Sequence, residues 1–366
     1  MLAGTATPNN FALRMVRRRR TGELIPGEIH FEITNRCNLR CFHCYLEPYM
    51  NQAIDELSTS EVTGILDQLF ENGTFDVTFS GGEPLCRPDI FTIMDHARER
   101  GLFFGLKTNG TLITEPVADK LKKLGITGVH VSLYGATLMT HERVTGIPGS
   151  YARTVRAVKL LRERNIQVAI KTSMMNCNIG EVKEMENIAR QLGVAFSPDP
   201  LVFSKVGQPG SATDIRLDDD QLKTLIIERN WVPDDVDLLV SDLERHLICS
   251  AARTKCAISP QGEVFPCTTW RLPLGNLRSQ SFKDIWYGEA ASRIRAITVS
   301  DLPMCAGCEL VNYCARCPGL VNIEKENGGI SGPSSENCRL ARAIKGVKED
   351  ERKTALRKPQ YRVGAN

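Results

Sequence analysis

The stretch Glu28-Ile29-His30-Phe31-Glu32-Ile33-Thr34, followed two residues later by Cys37-Asn38-Leu39-Arg40-Cys41-Phe42-His43-Cys44, sets a cysteine triad directly after a strand-like run. The triad reads C-x3-C-x2-C. A four-iron cluster needs four ligands, and three thiolates at this tight spacing leave one iron open to another molecule. A structural zinc site would be one ligand short here, because only His43, lying between two of the cysteines, could complete it.

Outward from the triad, short apolar runs alternate with helical periodicity. The pattern predicts strands over Glu28–Thr34, Asp76–Phe79, Phe103–Lys107, Gly128–Leu133, Gln167–Thr172 and Ala195–Pro198. Ser58-Thr59-Ser60-Glu61 is a capping box ahead of Val62, Ile65, Leu66, Leu69 and Phe70 at helical spacing. Six strand–helix units imply an α/β fold, a parallel sheet with helices outside. In barrels of this kind chemistry gathers where strands end. Gly81-Gly82-Glu83-Pro84 follows the second strand, Thr108-Asn109-Gly110 the third, and Ser132-Leu133-Tyr134-Gly135 closes the fourth.

The chain has 366 residues, enough for about two domains. Net charge is +3, from 46 basic and 43 acidic side chains, so no global field favours nucleic acid. No apolar run reaches the length of a membrane span. Arg17-Arg18-Arg19-Arg20 is followed by Thr21-Gly22-Glu23 rather than an apolar segment, which excludes a twin-arginine export signal. The expected location is the cytoplasm, where thirteen thiols stay reduced and serve metal better than disulfides. Eight cysteines lie late: Cys249, Cys256, Cys267, Cys305, Cys308, Cys314, Cys317 and Cys338. The expected organisation is a basic segment over 1–27, a barrel over 28–205, a Gly/Pro-rich linker and bridging region over 206–248, a metal-held domain over 249–340 and a basic tail over 341–366.

The triad, Gly81-Gly82-Glu83 one strand later, and the six-unit pattern together resemble the radical S-adenosylmethionine (SAM) superfamily over about residues 28–205. The resemblance implies a partial (βα)6 TIM-like barrel. Its 4Fe–4S cluster, on Cys37, Cys41 and Cys44, binds SAM at the open iron. One-electron cleavage of SAM then yields a 5′-deoxyadenosyl radical, with an electron donor such as flavodoxin or ferredoxin. Carried over, Gly81, Gly82 and Glu83 meet the methionyl group, with Glu83 pairing its ammonium. His43 stands where the family packs an aromatic residue near adenine. Asn109 joins the SAM site, and Ser132 and Arg143 resemble the ribose and carboxylate contacts, with Arg153 an alternative to Arg143.

The late cysteines frame Cys249-x12-Gly262-x4-Cys267 and Cys305-x2-Cys308-x5-Cys314-x2-Cys317, then Cys338. This resembles the SPASM extension, which implies two auxiliary iron–sulfur clusters of the 4Fe–4S type. One would use Cys249, Cys256, Cys267 and Cys317, the other Cys305, Cys308, Cys314 and Cys338. Two zinc ribbons share the Cys-x2-Cys spacing, and the residues alone leave both open. Thr268 stands where sulfatase maturases of this class carry Asp, which argues against that activity. The resemblance implies a peptide maturase acting on a ribosomally made peptide. With only 36 residues before Cys37, a separate leader-recognition protein is the expected partner. A small-molecule substrate, such as a haem precursor or aminoglycoside, is the alternative. An iron–sulfur carrier is the non-enzyme alternative, which would not need Gly81–Glu83. Cys86 and Cys177 read as ordinary reduced thiols.

Overall fold

Strict alternation of side chains across one sheet organises the molecule. The computed structural model describes residues 24–52, 54–231, 249–325 and 329–357. Six parallel strands, β1 (Glu28–Thr34), β2 (Asp76–Gly81), β3 (Phe103–Thr108), β4 (Gly128–Ser132), β5 (Val168–Ser173) and β6 (Ala195–Asp199), lie in sequential order. Their register pairs Phe31 with Phe79, Leu106 with Val129 and Val131 with Ile170, so one face is continuously apolar. That face is covered by α1 (Thr59–Glu71), α2 (Ile90–Glu99), α3 (Glu115–Leu124), α5 (Ser150–Glu163) and α6 (Val182–Gln191), while α4 (Leu138–Thr145) packs Val144 in a separate cluster with Met175 and Val202. Helix α1 starts at the expected capping box: Ser58 Oγ accepts from Glu61 N–H, and Glu61 Oε2 accepts from Ser58 N–H at 2.7 Å. Val62, Ile65, Leu66 and Leu69 then enter the core.

The opposite face carries His30, Glu32, Thr78, Ser80, Gly105, Lys107, His130, Ser132, Lys171, Ser173, Ser197 and Asp199. A closed TIM barrel fills its interior with Val, Ile and Leu. This lumen is polar, so it holds solvent or a ligand rather than packed hydrocarbon.

The sheet does not stop at β1. Strand β7 (Lys255–Ile258) pairs parallel to β1, Glu28 with Lys255 and Ile29 with Cys256, and antiparallel β8 (Glu263–Phe265) and β9 (Gly275–Asn276) extend it. Pairing with Ile29 turns Cys256 to the apolar face, where it is 1% exposed in the main core. The expected role of Cys256 as an auxiliary-cluster ligand is therefore corrected. Strand parity points it away from the lumen face, onto which its neighbour Lys255 opens.

Beyond β6, α7 (Asp219–Arg229) packs Leu222, Leu225 and Ile226 against Ala343 and Val347 of the terminal helix Ser335–Arg357. Arg216, buried just before α7, donates to Val202 O at 2.9 Å and pairs with Glu324 and Glu336, tying this region to the cysteine-rich part. The four-arginine run, residues 232–248 of the linker and the end of the basic tail lie outside the described residues. Among the described residues, no helix is long and apolar enough to cross a membrane.

Asp76, opposite Glu28 at the start of β2, has its carboxyl pushed up to about 6 by burial and then by the Glu28 charge. The folded state holds this proton at pH values where the unfolded chain has lost it. Stability contributed by the protonated form is present below the ordinary carboxylate range, falls as pH rises to about 6, and is flat above. Asp76→Asn is expected to raise stability at pH 7.5 by about 1–2 kcal/mol and to flatten that window. Thermal unfolding from pH 4.5 to 7.5 checks this, and parallel curves for the two proteins would refute it.

Candidate cofactor and substrate cavity

A cavity of about 840 Å³ opens at the C-terminal ends of the strands. Cys37, Cys41 and Cys44 stand on its wall, together with His43, Gly81, Gly82, Asn109 and Ser132. Backbone bonds fix the cysteine loop: Arg40 N–H donates to Thr145 O at 2.8 Å, Phe42 N–H to Val144 O at 3.3 Å, and Cys37 N–H to Asn51 Oδ1 at 3.1 Å. Side chains add a second tether. Asn109 Nδ2 donates to Asn38 Oδ1 at 2.9 Å, Asn38 Nδ2 to Thr111 Oγ1 at 2.8 Å, and Thr111 N–H to Asn109 Oδ1 at 2.9 Å. Burial pushes the Cys37 thiol up to about 12 and raises Cys41 and Cys44, and Cys44 further disfavours ionisation of Cys37 and Cys41. Only a bound cation reverses that balance, and a metal would do so by displacing the protons.

The glycines serve a purpose the sequence reading did not foresee. A Cβ on Gly81 would lie 2.4 Å from Thr34 O, and one on Gly82 2.3 Å from Arg36 O. They let β2 close against the loop that leads into the triad, with Gly82 N–H donating to Thr34 O at 2.8 Å and Glu83 N–H to Arg36 O at 2.7 Å. Glu83 is fully buried and off the cavity wall. Its carboxylate accepts from Thr108 Oγ1 at 2.8 and 2.9 Å, Asn109 N–H at 2.8 Å and Leu85 N–H at 3.1 Å. Burial moves it up to about 7 against the pull of those donors. The expected Glu83–ammonium contact is thus corrected: the side chain holds the end of β3 and thereby positions Asn109.

His43 packs edge-on against Tyr134 with ring centroids 4.5 Å apart, and its Nδ1 is buried with no partner among the described residues. Burial lowers its pKa to about 4, so the ring is neutral. An unpaired ring nitrogen on the wall of a cavity fits a heterocyclic ligand such as adenine. Ser132 lies within hydrogen-bonding reach of the Tyr134 hydroxyl. Arg143 departs from expectation. It sits exposed in the last turn of α4, beside Cys177 and off the wall, because the buried side of α4 is taken by His141, Val144 and Thr145. Arg153 is likewise exposed, donating to Pro148 O at 3.3 Å.

The late cysteines gather into two sets. Cys249, Cys267 and Cys317 act electrostatically on one another, as do Cys305, Cys314 and Cys338, with Cys308 beside Cys305. Their sulfurs accept backbone N–H groups: Ala251 to Cys249 (3.4 Å), Trp270 to Cys267 (3.3 Å), Leu310 to Cys308 (3.4 Å) and Arg316 to Cys314 (3.4 Å). In the triad, Leu39 donates to Cys37 at 3.5 Å. Such bonds stabilise thiolates and set cluster potential. Cys256 receives none among the described residues, and Arg295 is the charged group that acts on it. Among the described residues, no group of three such side chains closes round a single metal ion. Thr268 and Thr269, directly after Cys267, reach the cavity that holds the triad.

Residues the sequence reading passed over complete the wall. Lys107, His30 and Asp199 line it, and Tyr45 joins it just after Cys44. The signal was present in the alternation of the strands, whose lumenal positions are polar.

The radical SAM superfamily model matches residues 31–192, and the iron–sulfur cluster-binding SPASM domain model matches residues 249–318. The AdoMet-dependent heme synthase of Methanosarcina barkeri is 29% identical over 319 residues, covering 80% of this chain and 91% of that protein. The antilisterial bacteriocin subtilosin biosynthesis protein AlbA of Bacillus subtilis is 30% identical over 308 residues, covering 80% of this chain and 67% of that protein. The structure of Streptococcus suis SuiB bound to S-adenosylmethionine superposes with a TM-score of 0.68 at 19% identity, covering 90% of this chain and 81% of that one.

Proposed function

The chain belongs to the radical SAM superfamily and is an enzyme with an iron–sulfur-binding SPASM extension, and from that premise we propose that it oxidatively matures a ribosomally made peptide. The observation that carries the reading is one cavity uniting the triad thiols, the unpaired His43 nitrogen and the open polar lumen. The similarity to the subtilosin biosynthesis protein supports a peptide as substrate. A second reading, a tetrapyrrole substrate, is favoured by the heme synthase match over 91% of that protein's length.

The residues fit the groups assigned to them. Cys37, Cys41 and Cys44 hold the SAM-binding cluster. Cys249, Cys267 and Cys317 hold one auxiliary cluster, and Cys305, Cys308, Cys314 and Cys338 the other. When bound, these groups supply one-electron cleavage of SAM, hydrogen-atom abstraction from the substrate and an exit for the remaining electron. The protein's own part is positional. Glu83 fixes Asn109, Asn109 fixes Asn38 inside the triad, and His43 and Ser132 present polar atoms to SAM. Flavodoxin or ferredoxin supplies electrons, and a separate protein presents the peptide leader.

The test is anaerobic reconstitution with dithionite and SAM, in one arm with any short peptide found encoded next to this gene and in the other with coproporphyrin. Formation of 5′-deoxyadenosine with a loss of hydrogen from the peptide is expected. No 5′-deoxyadenosine would sink both readings, whereas turnover of coproporphyrin without change in the peptide would select the second. For the auxiliary ligands, Cys267→Ala is expected to lose one cluster's iron, about four atoms, and Cys256→Ala none. Iron analysis and electron paramagnetic resonance decide it, and lost iron in Cys256→Ala would restore that residue as a ligand.

A further inference from the structure

Two lysines, Lys107 and Lys171, come together in the lumen with no ion pair of their own among the described residues. Lys107 of β3 is surrounded by the charges of Lys171, Glu32, Lys255 and Asp199. Lys171 reaches from β5, donating to Ser197 Oγ at 2.7 Å, and Lys255 enters from β7 on the same face as Glu28. Glu32 is spoken for by Arg271 and by Tyr45, whose hydroxyl donates to it at 3.0 Å. Asp199 accepts from Leu201 N–H at 2.9 Å and is the remaining carboxylate. Lys255 stands in register with Glu28, itself opposite Asp76, at the start of the strands, so among the described residues Asp199 is the carboxylate left near Lys107 and Lys171, and neither of these two lysines forms a salt bridge there. His30 Nδ1 and Lys107 Nζ lie 3.4 Å apart, and burial together with these neighbouring cations keeps His30 neutral. Burial and the Lys171 charge press Lys107 down to about 8. His30, Lys107 and Asp199 share a wall with the three triad thiols.

We infer that the lumen seats a carboxylate of the substrate at Lys107, on the wall that also carries the triad thiols, with Lys171 beside it. This rests on the reading that the cavity is where substrate meets the radical. It adds the chemistry of recognition: an aspartate or glutamate side chain of a peptide, or a propionate of a tetrapyrrole. An anion there would relieve the repulsion between the lysines, and charge-assisted hydrogen bonds would fix its position. An uncharged substrate would leave that repulsion in place.

The experiment uses reconstituted holoenzyme at saturating SAM and two probe pairs. One is an acetylated, amidated alanine pentapeptide with a central glutamate against its glutamine twin. The other is coproporphyrin against its tetramethyl ester. In at least one pair, the acid is expected to bind about tenfold more tightly than its neutral analogue. The preference should fall to near unity in Lys107→Gln/Lys171→Gln, survive in Lys107→Arg/Lys171→Arg, and survive in the surface variant Arg156→Gln. A preference confined to the porphyrin pair supports the carboxylate seat and counts against the peptide reading. Equal binding of acid and neutral probes by the unsubstituted protein, no binding of any probe, or a preference that survives the glutamine variants overturns the inference. So does a loss of SAM affinity with the probe ratio unchanged, which would assign the lysines to SAM. Formation of 5′-deoxyadenosine by the unsubstituted protein, measured in parallel, reports on the enzyme reading independently.

Discussion

Replacing Cys37, Cys41 and Cys44 together by alanine is expected to abolish 5′-deoxyadenosine formation, a loss of at least about a thousandfold, while the fold survives. Three thiolates are the whole ligand set the cavity offers to the open cluster, so nothing remains to hold it. Survival of the fold follows from what anchors the loop. Its tethers are backbone bonds to Val144 and Thr145 and the Asn38–Asn109–Thr111 side-chain chain, and none uses a triad sulfur. The late cysteines lie in other elements and keep their backbone donors. The triple variant should therefore lose about four irons and retain the rest. The measurements are iron content, the ultraviolet–visible cluster spectrum, melting temperature and a 5′-deoxyadenosine assay. Residual SAM cleavage would refute the triad's role. A collapse in melting temperature would show that the loop depends on metal after all.

What could be read from the sequence follows from where the information lay. Each of the first six strands announces itself locally, by apolar residues at alternate positions and a turn at either end, as in Ile29, Phe31 and Ile33. The triad and the two late cysteine sets are also local spacings. Long-range register was not legible. Nothing near Cys256 says that it pairs with Ile29, 227 residues earlier, and that pairing alone decides which way the thiol points. Glu83 shows the same limit. Its partners Thr108 and Asn109 sit one strand away, so a carboxylate that reads as a ligand contact turns out to fasten β3. Arg143 was placed by motif order, yet the face of α4 it occupies is fixed by packing of Val144 against Met175 and Val202.

Cutting the ion pair between Glu32 and Arg271 should be among the most damaging single changes outside the cysteines. Glu32 is 1% exposed on β1, and Arg271 reaches it from the segment after β8. Burial opposes the charge on Arg271, but Glu32 and Tyr45 more than offset it and hold the guanidinium well above its ordinary range. The guanidinium also lies 5.0 Å from the Phe265 ring and 5.7 Å from that of Tyr45. Glu32→Ala leaves this cation buried without its carboxylate, which costs about 3–5 kcal/mol. For a chain of this length that is a fall of about 4–6 °C in apparent melting temperature. Arg271→Met should cost less, because Glu32 can take up a proton while keeping the Tyr45 bond. The double variant Glu32→Gln/Arg271→Met should recover most of the loss, since the paired charges also carry a desolvation penalty. A second readout separates function from stability. Tyr45 donates to Glu32 and directly follows Cys44, so the pair couples the cysteine-rich part to the triad loop. Glu32→Ala is expected to lower iron loading of the triad cluster, with the auxiliary spectrum retained. Additive effects in the double-mutant cycle, or full triad loading in Glu32→Ala, would show that the two regions are joined by the sheet alone.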